Sequence, residues 1–217
     1  MKAEREKPMT NKAYDFLYRK IVSCEYLPGM ELSEKQLLET TGLGRTPLRE
    51  ALLILQRENL VQIFPRKGMR IAPFDEKQVT DLYMYRKLIE PAVAVQYRSL
   101  YPKTDLSLFA NKMNGSGNLK EWDRFVLDSD FHTFLISITN NELLIETYHS
   151  VMVQQIRLGM YTSIIKGSRT PEVDSEQHLA IINSLLSENI KDIQDSITIH
   201  INFSLIRSLD TIRSVTT

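Results

Sequence analysis

The spacing of apolar residues predicts two regions of different character. From Asn11 to Ser23, apolar side chains recur at Ala13, Phe16, Leu17, Tyr18, Ile21 and Val22, the spacing of one helix face. Residues 1–10 carry no such period and read as a disordered tail. Pro28-Gly29 predicts a turn. Ser33 can accept an orphan backbone N–H and so starts a short helix running to Thr40, which Gly42-Leu43-Gly44 breaks. A second helix begins near Arg45, with Pro47 in the first turn, where a missing N–H costs nothing. Its buried stripe is Leu48, Ala51, Leu52 and Leu55, and Asn59 suits the left-handed residue at its end. Leu60–Phe64 and Met69–Ala72 predict two short strands around a hairpin tip at residues 65–68.

After Pro73 only helical periods remain, at about 75–99, 104–112, 119–139, 141–164, 172–188 and 190–213. Loops fall at 114–117 and 166–171, and Pro91 should kink or break the first of these helices. The fold class is therefore mainly α. A domain of helices with a β-hairpin spans 11–73, and an all-helical domain spans 74–217.

Composition narrows the function classes. The chain has 217 residues, 42% hydrophobic and 25% charged, as a globular protein of two domains would. No apolar run approaches the roughly 18 residues of a membrane span, and the polar first dozen residues do not resemble a signal peptide. Cys24 is the single cysteine, which excludes an internal disulfide and Cys-rich zinc sites. A cytoplasmic location without membrane contact is expected. The zero net charge divides into +4 over residues 1–73 and −4 over the remainder, which points to a polyanion-binding first domain.

Helix, tight turn, helix and a two-stranded wing make the plan of a winged helix-turn-helix. Its second helix would enter the major groove of double-stranded DNA. Arg45 and Arg49 lie one turn apart on that helix and share a face. Each guanidinium can donate two hydrogen bonds to guanine O6 and N7. Thr46 can contact a phosphate or a base. Arg66 and Lys67 lie at the wing tip, and Gly68 permits close backbone approach.

The segments Leu32-Ser-Glu-Lys-Gln-Leu37, Leu43-Gly-Arg-Thr-Pro-Leu-Arg-Glu-Ala-Leu52, Glu58-Asn-Leu-Val61 and Pro65-Arg-Lys-Gly68 resemble the DNA-binding domain of GntR-family transcription regulators. The resemblance implies that Arg45 and Arg49 read bases, that Lys35 and Thr46 contact the backbone, and that Gly68 belongs to the wing. Gly44 stands where the family usually has a hydroxyl residue, Asn59 where it has glycine, Leu38 where it has alanine and Lys35 where it often has arginine.

In the helical domain, Asp128 and His132 are four residues apart on one helix and can share a cation. His178 and His200 each lie 11 residues from Asn189, so an antiparallel hairpin would bring them to one height. Three imidazoles and a carboxylate suit zinc, nickel, cobalt or manganese. The same residues can instead be a helix-stabilising pair and two hydrogen-bonded histidines, and His149 competes for a place near His132. Arg86 shares a face with Leu82, Ile89 and Val93 and should point inward, towards either Glu90 or the carboxylate of a ligand.

Asp128-Ser-Asp-Phe-His132, with Glu176-Gln-His178 and His200, resembles the FCD ligand-binding domain of the FadR branch of that family, in its compact six-helix, VanR-like form. The resemblance implies an antiparallel bundle that dimerises and binds a metal together with a small organic acid. Arg86, Asn141, Arg157 and Tyr161 are the candidates for effector contacts. The function expected is a homodimeric, effector-responsive repressor on a two-fold-related operator. The rivals are a metal-dependent hydrolase and a regulator whose metal is purely structural.

Overall fold

The computed structural model describes residues 8–64, 68–167 and 171–216. The chain forms two compact units, one ending at Phe74 and the other starting at Asp75.

In the first unit, α1 (Met9–Val22) buries Ala13, Leu17 and Ile21 against the Leu48, Ala51, Leu52 and Leu55 stripe of α3 (Arg45–Arg57). Helix α1 therefore begins two residues before the end of the expected tail; residues 1–7 lie outside the described ones. Between these helices, α2 (Glu34–Thr41) starts at a complete capping box, in which Gln36 N donates to Ser33 Oγ and Ser33 N donates to Gln36 Oε1. It stops at Gly42, whose φ of 66° is costly for residues with a Cβ. Asn59, at φ 58°, ends α3 as expected and delivers buried Leu60 towards the sheet.

The sheet has three strands, not two. β1 (Glu31–Leu32) pairs antiparallel with β3 (Gly68–Ile71), which also pairs antiparallel with β2 (Val61–Phe64), in the order β1-β3-β2. A two-residue strand carries no alternation to read. It exists because the turn before it brings Gly29 N to Ile71 O and Ile71 N to Met30 O, both at 2.9 Å.

The second unit contains six α-helices among the described residues: α4 (Glu76–Gln96), α5 (Lys103–Asn114), α6 (Glu121–Ser137), α7 (Glu142–Lys166), α8 (Pro171–Ser187) and α9 (Ile190–Thr216). Asp75 and Gln78 form a second capping box at the start of α4, and the helix continues through Pro91. Helix α4 lies along α9, α6 along α7, and α8 along both α5 and α9. The α8–α9 hairpin turns at Glu188 (φ 56°), and Asn189 Oδ1 accepts from Lys191 N and Asp192 N. No helix among the described residues is long and apolar enough to cross a membrane.

The buried stripe of α9 changes chemistry along its length. Ile193, Ile197 and Ile201 are fully covered, and then His200, Ser204, Ser208 and Thr211 take the inward positions. Helix α7 changes likewise, from Tyr148 and Met152 to Gln155, Thr162 and Ser163. Buried polar groups need partners, so this stretch of the bundle interior is where a site is to be sought.

Candidate functional site

In the first unit, Lys35, Arg45, Thr46 and Arg49 are all exposed on α2 and α3. Lys35 faces Glu39 across an exposed 3.9 Å pair, which contributes little. Arg49 is held from the side by Glu34, whose Oε2 accepts from Nε and Nη2 at 3.1 Å each. Gly68 opens β3 at φ 95°, and a Cβ there would lie 3.0 Å from the Leu32 carbonyl oxygen. The pairing of β1 with β3 thus demands glycine at this position. Arg66 and Lys67 lie outside the described residues.

In the second unit, Asp128, His132, His178 and His200 come together from three helices, with their ligand atoms all within 4.8 Å of one another. His178 and His200 face each other across the α8–α9 hairpin with ring centroids 4.6 Å apart, as the equal spacing from Asn189 predicts. Asp128 Oδ1 lies 2.9 Å from His178 Nε2, 3.9 Å from His132 Nε2 and 4.0 Å from His200 Nε2. His132 Nε2 and His200 Nε2 are 3.0 Å apart. Phe131 packs its ring edgewise on His132 and His178 and closes the cluster on its apolar side. His149 is exposed and stays outside; its neighbour Tyr148 turns inward instead.

The surrounding groups decide which imidazole nitrogens carry protons. His132 Nδ1 lies 2.7 Å from Glu90 Oε2. An ionised carboxylate only accepts, so Nδ1 is the donor. Glu90 Oε1 also accepts from Arg86 Nε at 2.5 Å and from Tyr148 Oη at 2.7 Å. Burial would raise the Glu90 carboxyl, but the charge of Arg86 and the hydrogen bonds from His132 and Arg86 outweigh it and hold it at about 2. Burial pushes the Tyr148 phenol well up, with Glu90 adding to it, so this group remains a donor. His200 Nδ1 lies 3.1 Å from the Gln177 side-chain amide, which holds the ring in place.

Burial lowers both His132 and His200, the latter further because two other imidazoles face it. Both rings are therefore neutral at pH 7, and their Nε2 atoms face each other across 3.0 Å beside an ionised Asp128, placed either for one ring to donate to the other or for both to face a shared cation. Burial would raise Asp128, but the hydrogen bond from His178 and the surrounding imidazoles hold it well below the usual carboxylate range. Oriented imidazoles with Nδ1 fixed by a carboxylate or an amide are what a metal-binding site requires. The donor set fits a divalent transition metal.

A cavity of about 50 Å³ adjoins the cluster, bounded by Asp128 and His178 at that end and by Gln155, Thr162 and Ser208 elsewhere on its wall. Gln155 Nε2 donates to Tyr83 Oη at 3.1 Å, and Tyr83 Oη shares a 2.9 Å bond with Ser208 Oγ. Of the effector candidates named from the sequence, Arg86 is buried behind the cluster and bonds Glu90. Asn141 is exposed and caps α7, its Oδ1 accepting from Leu144 N at 3.1 Å, so it does not reach the cavity. Arg157 is buried and donates through Nη1 to Gln154, and Tyr161 is half-buried; neither lines this cavity. Sequence reasoning missed Tyr148 and Gln177 and paired Glu90 with Arg86 alone. The adjacency of Gln177 to His178 was the one local sign available for any of them.

Known proteins agree with both halves. The family described as bacterial regulatory proteins, gntR family, matches residues 9–71, and the FCD domain matches residues 81–203. The HTH-type transcriptional repressor RspR of Escherichia coli (strain K12) is 28% identical over 200 residues, covering 89% of this chain and 86% of its own. The Nta operon transcriptional regulator of Aminobacter aminovorans is 27% identical over 199 residues, covering 90% and 92%. Among solved structures, a transcriptional regulator GntR from Rhodococcus sp. RHA1 superposes with a TM-score of 0.77 at 18% identity, covering 93% of this chain and 97% of its own. At that identity the likeness speaks for the fold. Family membership removes the hydrolase rival, since these regulators are not enzymes. With a winged helix-turn-helix at one end and an FCD bundle at the other, this chain belongs to the GntR family of DNA-binding transcription regulators.

Proposed function

We propose that this regulator is a cytoplasmic, homodimeric repressor that holds a divalent metal through Asp128, His132, His178 and His200 and binds a small organic acid beside it. The observation that carries this reading is the convergence of three buried imidazoles and an ionised carboxylate, their ligand atoms all within 4.8 Å of one another.

A bound cation supplies Lewis acidity to anchor a carboxylate. The chain's own residues do the rest. Glu90 and Gln177 orient two imidazoles, Arg86 neutralises Glu90, and Phe131 excludes water from one side. Arg86, which stands behind the cluster and does not line the cavity, keeps Nη1 and Nη2 without a hydrogen-bond partner among the described residues. The cavity of about 50 Å³ has room for roughly three or four waters, which suits an acid of few heavy atoms.

On DNA, Arg45 and Arg49 read bases, while Lys35, Thr46, Arg66, Lys67 and the backbone at Gly68 contact phosphates of a two-fold-related operator. Effector and operator affinities then change reciprocally. Elemental analysis of purified wild-type and His132→Ala protein tests the metal assignment. One metal per wild-type chain and a large loss in the variant is the expected result; full occupancy of the variant overturns the ligand set.

A further inference from the structure

We infer that the outer face of α9, with the edge of α4 beside it, is the surface on which two copies of this chain pair, antiparallel, about a two-fold axis near Asn202. This rests on the homodimer reading given above and names the surface and its geometry.

Helix α9 is apolar on two sides. One is the buried stripe that begins at Ile193, Ile197 and Ile201. On the opposite side, Ile199 and Ile206 are each 62% exposed and Phe203 is 42% exposed. Positions 199, 203 and 206 follow the i, i+4, i+7 spacing of one helix face. Helix α4 runs antiparallel beside them, since Glu76 pairs with Arg213 and Tyr83 with Ser208. That register brings Met84 about level with Ile206 and Leu88 about level with Phe203, and these two are 57% and 67% exposed. Single exposed apolar residues are ordinary, but five on adjoining helices make an apolar patch on the order of 500 Å², the size that marks an interaction surface. With a polar rim it approaches the roughly 800 Å² per partner of a stable interface.

The relief and charge of this face match a copy of itself. Two hollows flank the ridge. One, of about 430 Å³, lies between α8 and α9, and its wall includes the small side chains of Ala180, Ser184, Ser187 and Ser196 with the carboxylates of Asp192 and Asp195. The other, of about 280 Å³, is lined by Lys166, Phe203, Ile206, Arg207 and Asp210. The first holds two carboxylates; the second holds two cations and one carboxylate. A two-fold interface must be complementary to itself. Antiparallel pairing about Asn202 lays the acidic hollow of each copy against the cationic hollow of the other, with Asp195 level with Arg207. The same register sets Ile199 against Phe203 and lowers Ile206 onto the small-residue groove at Ser196. Parallel pairing would instead set Asp192 and Asp195 against their own counterparts.

Sedimentation of the full-length protein over a concentration series measures the pairing. Ile199→Asp/Ile206→Asp should weaken it at least about 100-fold, because charges would then be buried without partners at the centre of the contact. Both residues face solvent within one chain, so the helical circular dichroism should not change. Leu143→Asp is the control: Leu143 is more exposed still but lies at the opposite end of α7 from Lys166, and its replacement should leave pairing as in wild type. A cross-linking readout needs no disruptive change. In Cys24→Ser protein, a short bis-maleimide should couple Asn202→Cys between copies but not Asp192→Cys, which antiparallel pairing sets about 27 Å from its counterpart. If wild type stays monomeric at high micromolar concentration, the homodimer reading itself fails and this face belongs to a different partner. If wild type pairs and Ile199→Asp/Ile206→Asp pairs as tightly, or if Leu143→Asp loses pairing equally, the surface is wrong and the homodimer reading stands. If Asn202→Cys fails to couple, or Asp192→Cys couples as readily, the antiparallel arrangement is wrong.

Discussion

Replacing Glu90 by glutamine removes one negative charge at the centre of a fully buried chain of contacts from Arg86 through Glu90 to His132. The carboxylate accepts three bonds there, at 2.5, 2.7 and 2.7 Å. Its carboxyl is held at about 2 instead of 4.5, which corresponds to about 3 kcal/mol in favour of the ionised folded form. That agrees with the roughly 3–5 kcal/mol lost when one partner of a buried ion pair is removed. The depressed value sets the sign with pH. The contribution is present above about pH 4.5 and is lost as pH falls through about 2. Urea unfolding of metal-stripped protein should therefore show Glu90→Gln less stable by about 3 kcal/mol at pH 7.

A second change separates stability from metal binding. Replacing Arg86 by methionine in the Glu90→Gln background removes the stranded guanidinium and should recover much of the stability. It should not recover zinc affinity, because the carboxylate that orients His132 is still missing, and such orienting partners are worth about 10–100-fold. A Glu90→Gln protein within about 1 kcal/mol of wild type, with unchanged zinc affinity, would refute the reasoning.

Other expectations concern separate parts of the molecule. Arg49→Ala should cost about 1–3 kcal/mol in operator binding and relax preference at one base position; equal loss on random DNA in an anisotropy titration would count against base reading. Glu34→Gln frees Arg49 from its lateral support and removes a negative charge beside the DNA-facing helix, so the ratio of specific to random-DNA affinity should fall while random-DNA affinity rises; an unchanged ratio would reject the support. Lys67→Ala should shallow the salt dependence of binding by about one in log–log slope, and an unaltered slope would exclude a phosphate contact. Gly159→Ala forces a Cβ into the Phe125 ring at the cavity wall, which should destabilise by about 1–3 kcal/mol and weaken acid binding; a normal melting curve with normal acid affinity would contradict that packing.

Features that depend on neighbours in sequence could be read in advance. The Ser33 cap, the Leu48 to Leu55 stripe and left-handed Asn59 are all set within one helical turn of themselves. The four metal candidates were legible because two are four apart on one helix and two lie symmetrically about Asn189, so helix geometry alone places them. Strand β1 escaped because two residues have no period; its existence depends on β3, some 37 residues away. Tyr148 and Gln155 escaped because their value comes from Glu90 and Tyr83, on another helix. His149 stays outside and Tyr148 turns inward because one residue of helix phase is about 100° of rotation. Asn141 spends on the cap of α7 the amide oxygen that a ligand contact would also ask for.

The coupling of sensing to DNA reading is open to a direct measurement. Anisotropy of a labelled fragment from the chain's own upstream promoter should be followed with zinc-loaded protein, with and without a saturating bound acid. The account expects operator affinity to change by at least about five-fold on adding the acid, and the change to disappear in His132→Ala. An acid that binds the helical domain tightly yet leaves operator affinity untouched would contradict it.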